Sequence, residues 1–298
     1  MTKWKLLGLV MTLGLVGMTA SAGTVNVLWY TGGTENSGPG TYEAAVNTMA
    51  ADSIAAGQNT WNVTFWTGGP EPSGSFNVLV AASPEGPWST SPDYTGLNTA
   101  GLSFDPLIQR LMLTGQDADW HFQNHPGSAA FDGPQGFLVD SINWAASGTG
   151  LGLVALGQDG IGTCIPHGGA TLGVAGFLNA GCNNVESVII PGGVAGNPVN
   201  TGLTSAGLSN WVQSAHVEFT GLSSAWTGIN IDGSATPPPG DTTCSTDTPD
   251  AACTYVTIVS ASSVGGGLTT TPEPSSLLLL GSGLIGLFSG GRKKLLKA

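Results

Sequence analysis

The densest run of metal-ligating side chains in this 298-residue sequence is Asp117-Ala118-Asp119-Trp120-His121-Phe122-Gln123-Asn124-His125. On a helix, His121 and His125 share one face a turn apart, and a divalent ion between their imidazoles could take a carboxylate from Asp117 or Asp119. Two familiar metal chemistries are not completed. Phe122 stands where the general base of a His-Glu-x-x-His zinc hydrolase belongs. Neither the spacing nor the closing Glu of an EF-hand loop is present. Asp117, Asp119, His121 and His125 are therefore metal candidates against a default of a solvated, His-bearing loop, and no cofactor is expected.

Nucleophilic chemistry has thinner support. Gly-x-Ser-x-Gly does not occur in the body of the chain, and Cys164 with His167 would make a nucleophile and base only as a free thiol. Four cysteines, an even number, fit disulfides in an oxidising compartment. Nearness favours Cys164 with Cys182 and Cys244 with Cys253, among three possible connectivities. Gly281-Ser-Gly283-Leu-Ile-Gly286 satisfies the dinucleotide fingerprint by letter only, because it lies in an apolar tail rather than between a strand and a helix. The loop TGGTENSGPG, after the first strand, is better placed but has no Lys for a phosphate. Eight body tryptophans could stack on sugar rings or fill a core. With no complete catalytic motif, a non-enzymatic protein is expected.

Local patterning supplies the elements that would position these groups. Val25 to Tyr30 is β-rich, and Tyr42, Ala45, Val46, Met49 and Ile54 carry a helical stripe that ends at Gly57. Strands follow at Trp61 to Trp66 and Phe76 to Ala81. The Thr-Gly-Gly endings after Tyr30 and Trp66 suggest strands stopping at one edge of a sheet. Phe104 to Leu113 and Gly136 to Ala146 read as helices, Gly150 to Leu156 and Val185 to Ile190 as core strands. Trp211 to Thr220, Trp226 to Ile231 and Tyr255 to Ser260 alternate like antiparallel strands. The fold expected is α/β: a flavodoxin-like three-layer sandwich with a mostly parallel sheet and antiparallel additions. An all-β sandwich is the alternative, disfavoured by the Ala-rich helical stripe. The order of elements is similar to class I glutamine amidotransferase-like or trehalose-utilisation-like domains, with no complete motif and so no residue or activity carried over.

The two ends carry an address. Lys3 and Lys5 precede an uncharged run from Leu6 to Met18, about 20 Å as a helix and too short to span a bilayer. Ala20-Ser21-Ala22 then offers a signal-peptidase site, so residues 1–22 read as a signal peptide cleaved after Ala22. Residues 23–262 form one exported α/β domain and 263–271 a Gly/Thr spacer. The run from Pro274 to Gly291 has no charge, and a membrane helix is expected at about 275–291, stopped by Arg292, Lys293 and Lys294.

Pro272, Glu273 and Pro274, the apolar helix and the basic end occur in immediate succession, and residues 272–298 resemble a PEP-CTERM sorting tail. The resemblance implies a precursor held transiently in the inner membrane, cut by an exosortase near the triplet, and passed to the cell surface or extracellular matrix. Signal peptidase and exosortase are then the processing partners, and extracellular polysaccharide the neighbouring polymer.

Composition narrows what the body can bind. Six of the seven basic residues lie in the two ends, which leaves Arg110 against eighteen acids and a net charge of about −17 for residues 23–271. Nucleic acid is excluded as a partner, since phosphate binding needs clustered Lys and Arg. The functional expectation is an acidic, non-enzymatic surface or matrix protein. A carbohydrate-binding module and an exported hydrolase of amidotransferase-like fold are the alternatives.

Overall fold

A computed structural model describes residues 23–31, 41–55, 57–83, 101–124, 133–157, 172–181, 185, 187–209, 211, 215–234 and 253–261. The strands are β1 (Thr24–Tyr30), β2 (Thr60–Trp66), β3 (Val78–Ala81), β4 (Leu111–Thr114), β5 (Gly152–Ala155), β6 (Leu178–Gly181), β7 (Val188–Ile189), β8 (Glu218–Thr220), β9 (Trp226–Asp232) and β10 (Tyr255–Ser260). The helices are α1 (Thr41–Ala55), α2 (Ala118–Asn124), α3 (Pro134–Ala146) and the single turn α4 (Ser205–Leu208). The chain is α/β.

All ten strands join one sheet, in the order β2-β1-β3-β5-β4-β10-β8-β6, with β9 paired to β10 and β7 to β9. The first five are mutually parallel. From β10 onward every pairing is antiparallel. Tyr30 and Trp66 are register partners and Thr31 N–H donates to Trp66 O at 2.8 Å, so β1 and β2 stop at the same edge. The parallel order 2-1-3-5-4 differs from the 2-1-3-4-5 of flavodoxin-like sheets in its last two strands.

Alternation along each strand sorts two cores. Val25, Val27 and Trp29 of β1, Val78 and Val80 of β3, and Met112 of β4 face the helices together with Val46, Met49, Phe137 and Ile142. Leu28, Tyr30, Leu79, Leu111, Leu113 and Leu153 face the other way. Among the described residues that second face is covered by irregular chain bearing Phe104, Leu172, Val174 and Phe177, where the three-layer expectation has helices. In β10 a register irregularity around Thr257 lets Ile258 join Tyr255 on this face.

Helix α3 is the internal one, with Pro134 opening it and twelve of its residues buried. Its last turn meets Arg110, whose guanidinium donates to Trp144 O at 3.2 Å and to Ser147 Oγ and lies 5.8 Å from the Trp144 ring. The body's single cation thus sits at the negative end of the central helix. Helix α1 buries Val46, Met49 and Ser53, spaced three and four residues apart.

The helix expected at Phe104 to Leu113 is absent: the segment is a turn followed by β4. Asp105 stands before Pro106, its carboxylate accepts Leu107 N–H at 2.8 Å, and its carbonyl accepts from Ile108 and Gln109. That local closure ends the turn and leaves Leu107 and Ile108 exposed, while Leu111 to Leu113 gain ladder partners on β5 and β10. The strand expected at Val185 to Ile190 shortens to β7 and an isolated bridge from Val185 to Ala215. Residues 1–22, the spacer 263–271 and the tail 272–298 lie outside the described residues, and so does the expected membrane helix. Among the described residues no helix is long and apolar enough to cross a membrane.

Candidate functional site

The carboxyl ends of β3, β4 and β5 stop at one edge of the parallel half, where open α/β sheets place their ligands. Chain leaving β4 turns through Gly115, Gln116 and Asp117 into α2. Inward polar groups hold this turn: Thr114 Oγ1 lies 2.9 Å from Thr257 Oγ1 and accepts Gln116 N–H at 3.0 Å, and Gln116 Nε2 donates to Leu208 O at 3.3 Å. Gly157 N–H, just past β5, donates to Gln116 O at 2.9 Å. Gly115 packs so closely that a Cβ there would lie 2.0 Å from Val217 O. Only glycine lets the approach to β8 pass at this distance, and His216 N–H donates to Gly115 O at 2.8 Å.

That close pass brings a second histidine to Asp117. One carboxylate oxygen of Asp117 is 3.2 Å from His121 Nε2 and the other 3.2 Å from His216 Nε2. His121 is reached within one helical turn; His216 lies 99 residues away from Asp117 in sequence. All three are buried or nearly so. Burial pushes the Asp117 carboxyl pKa upward, but the hydrogen bonds and positive charge of His121 and His216 outweigh it, and the net shift is below the ordinary value. Asp117 is thus a buried carboxylate hydrogen-bonded to His216 Nε2 and within ion-pair distance of His121 Nε2.

Asp119 faces the end of β3: its Oδ2 accepts Ser83 N–H at 3.0 Å. Ser83 Oγ is buried and has no hydrogen-bond partner among the described residues. Aromatic rings enclose the helical side, with Trp120 4.9 Å and Trp211 5.6 Å from the His121 ring. Trp211 is itself fixed by Nε1–H donation to Gly207 O at 2.6 Å.

The structure therefore brings Asp117 and His121 together, turns Asp119 toward β3, and adds His216. Among the described residues no group of three or more His, Cys, Asp or Glu side chains is arranged to hold a metal ion. His125 lies outside the described residues, and so do Cys164, Cys182 and Cys244. Cys253 is fully buried and disulfide-bonded. Trp29, Trp61, Trp66, Trp144, Trp211 and Trp226 are core residues, none more than 6% exposed. His216 carried no local motif; its signal was only that it is one of four histidines and precedes the short strand β8.

Asp117 and its two imidazoles are the group types of an acid–base device: a carboxylate beside two rings. They sit at the carboxyl edge of the parallel strands.

No curated protein and no solved structure matches the chain. Residues 270–294 match the family model described as the PEP-CTERM protein-sorting motif. The triplet Pro272, Glu273 and Pro274 and the basic stop at Arg292, Lys293 and Lys294 fall inside that match. The tail is similar to this sorting motif, and it marks the chain as an exported, membrane-processed substrate of an exosortase.

Proposed function

We propose that this chain is an acidic, non-enzymatic protein of the cell surface or extracellular matrix, associated there with extracellular polysaccharide. The sorting-motif match at residues 270–294 carries the reading. The body supports it: a net charge of about −17 and a single Arg suit a hydrated polymer layer and disfavour nucleic acid and anionic lipid. The burial of six tryptophans removes the usual stacking platform of a carbohydrate-binding module from those positions. To test the proposal, the full precursor is expressed in a bacterium with its own exosortase, and intact masses and both termini are measured in membranes and culture fluid. Released protein starting at Gly23 and ending near Pro272 to Pro274, retained with the polysaccharide until that polymer is digested, is the expected result. Uncut protein confined to the inner membrane would sink it.

A second reading, an exported hydrolase, is favoured by one observation: Asp117 clamps His121 and His216 at the carboxyl edge of the parallel strands. In this role an imidazole would take a proton from an attacking water and return it to the leaving group. Ester and amide probes offered to the processed protein test it. Turnover abolished by His216→Ala would support hydrolysis, and equal background rates in both proteins would remove it.

A further inference from the structure

Among the described residues the sheet ends at β2, which pairs there with β1 alone. The pairing runs in unbroken register over all seven residues, from Thr24 with Thr60 to Tyr30 with Trp66. Thr60 N–H donates to Gly23 O and Trp66 O accepts from Thr31, so the even-numbered residues of β2 form the ladder with β1. In a parallel pair the alternate residues, Trp61, Val63 and Phe65, then turn their N–H and C=O groups to the open edge. Exposed regular edges are usually blunted by Lys, Pro, a bulge or an inward charge. β2 has none of these, and the whole stretch from Gln58 to Gly69 is uncharged.

We propose that this edge is a self-association surface, on which β2 of a second copy of the chain adds antiparallel across a two-fold axis at Val63. The strand's own pattern selects that occupant. Reversed about Val63, the sequence Trp61-Asn62-Val63-Thr64-Phe65 sets Trp61 against Phe65, Asn62 against Thr64 and Val63 against itself. Aromatic meets aromatic, polar meets polar and β-branched meets β-branched, the pairings that stabilise antiparallel strands. The three outward-bonding residues also pair with one another, so about six backbone hydrogen bonds form with no backbone group left over. Side-chain faces agree as well: Trp61, Val63 and Phe65 all lie on the helix-covered side and belong to or pack against its core. Such an interface is isologous and closes as a dimer. Charge fits too, because an uncharged strip is where two bodies of about −17 each can meet without opposing carboxylates.

The test is sedimentation velocity on the full chain in mild detergent, over a wide concentration range at low salt and at about 0.5 M salt, where the Debye length falls well below 10 Å. A reversible monomer–dimer equilibrium, tightened several-fold by salt, is expected. Val63→Pro removes only an outward N–H and leaves the β1 ladder intact, and it should weaken the dimer at least ten-fold with the far-UV spectrum unchanged. Should that variant misfold, Val63→Lys decides, since it sets two ammonium groups face to face on the axis and should likewise give monomer. A wild-type protein that stays monomeric at every concentration overturns the proposal, and so does a dimer that survives in the folded variants.

Discussion

Asp140, on the inner helix α3, gives a test of the packing argument with a defined sign. Its carboxylate accepts Gln58 Nε2–H at 2.7 Å, and Gln58 Oε1 accepts from Asn143 Nδ2 at 2.6 Å, so the acid belongs to an amide network joining α3 to the chain entering β2. Asn143 also accepts from Trp61 Nε1 and Asn59 Nδ2, each at 3.0 Å. No cation takes part. Burial raises the Asp140 pKa from 3.8 to about 7, although the Gln58 hydrogen bond pulls it down. A raised carboxyl pKa means that the folded state holds the proton more tightly than the unfolded chain. Its stabilising effect is full below pH 3.8 and is lost as pH rises through about 7. A shift of about three units corresponds to at most about 4 kcal/mol, and to about 2 kcal/mol once partial access of water is allowed for. Asp140→Asn keeps the acceptor for Gln58 and removes the titration. Urea unfolding followed from pH 4 to pH 8.5 should show the variant equal to wild type at the acid end and more stable by about 2–4 kcal/mol at the alkaline end. A gain that is constant across pH, or a loss everywhere, refutes the reasoning.

Two other perturbations address the candidate site. Asp117→Ala leaves two buried imidazoles without their shared acceptor and should cost about 3–5 kcal/mol at pH 7 by denaturant unfolding. Because the Asp117 pKa is lowered in the fold, the wild-type advantage should hold above the unfolded value of 3.8 and shrink as pH falls through the lower folded value. Gly115→Ala would place a Cβ 2.0 Å from Val217 O and should cost about 1–3 kcal/mol or more. It should also displace the His216 ring resonances in an NMR spectrum while leaving those of distant aromatic rings in place.

Where a single segment contained its own signal, the sequence could be read. The Ala-rich stripe with Val46 and Met49 became α1, the β-branched runs became β1 and β2, and the Thr-Gly-Gly repeats told where both strands stop. Residues 104–113 misled because their apolar spacing suits a helix, whereas Asp105 and Pro106 close a turn and neighbours remote in sequence claim Leu111 to Leu113 as a strand. Exchange of the last two parallel strands is likewise a tertiary choice: β5 enters between β3 and β4, and no local pattern encodes that. The site divided along the same line. Asp117 and His121 were visible as members of one metal-candidate run, read there with Asp119 and His125; His216 arrives only because Gly115 lets another strand's approach pass against the β4 turn.

The body's composition, one Arg against eighteen acids, explains how the polar interior is built. With Arg110 directed at the end of α3, the buried acids turn to uncharged or weakly basic donors. Asp117 takes two imidazoles, Asp119 the Ser83 N–H, Asp140 the Gln58 amide, and Asp232 the hydroxyl and N–H of Ser234 at 2.6 and 2.7 Å. The Ser83 and Ser234 N–H donors belong to the backbone and Gln58 is fixed in turn by Asn143, so these carboxylates are held by geometry more than by opposite charge. Added salt therefore has few attractive pairs to weaken and a large net repulsion to screen. This is a physical reason for an exported body to carry acids almost without bases: its fold tolerates variation in ionic strength, and its surface stays hydrated.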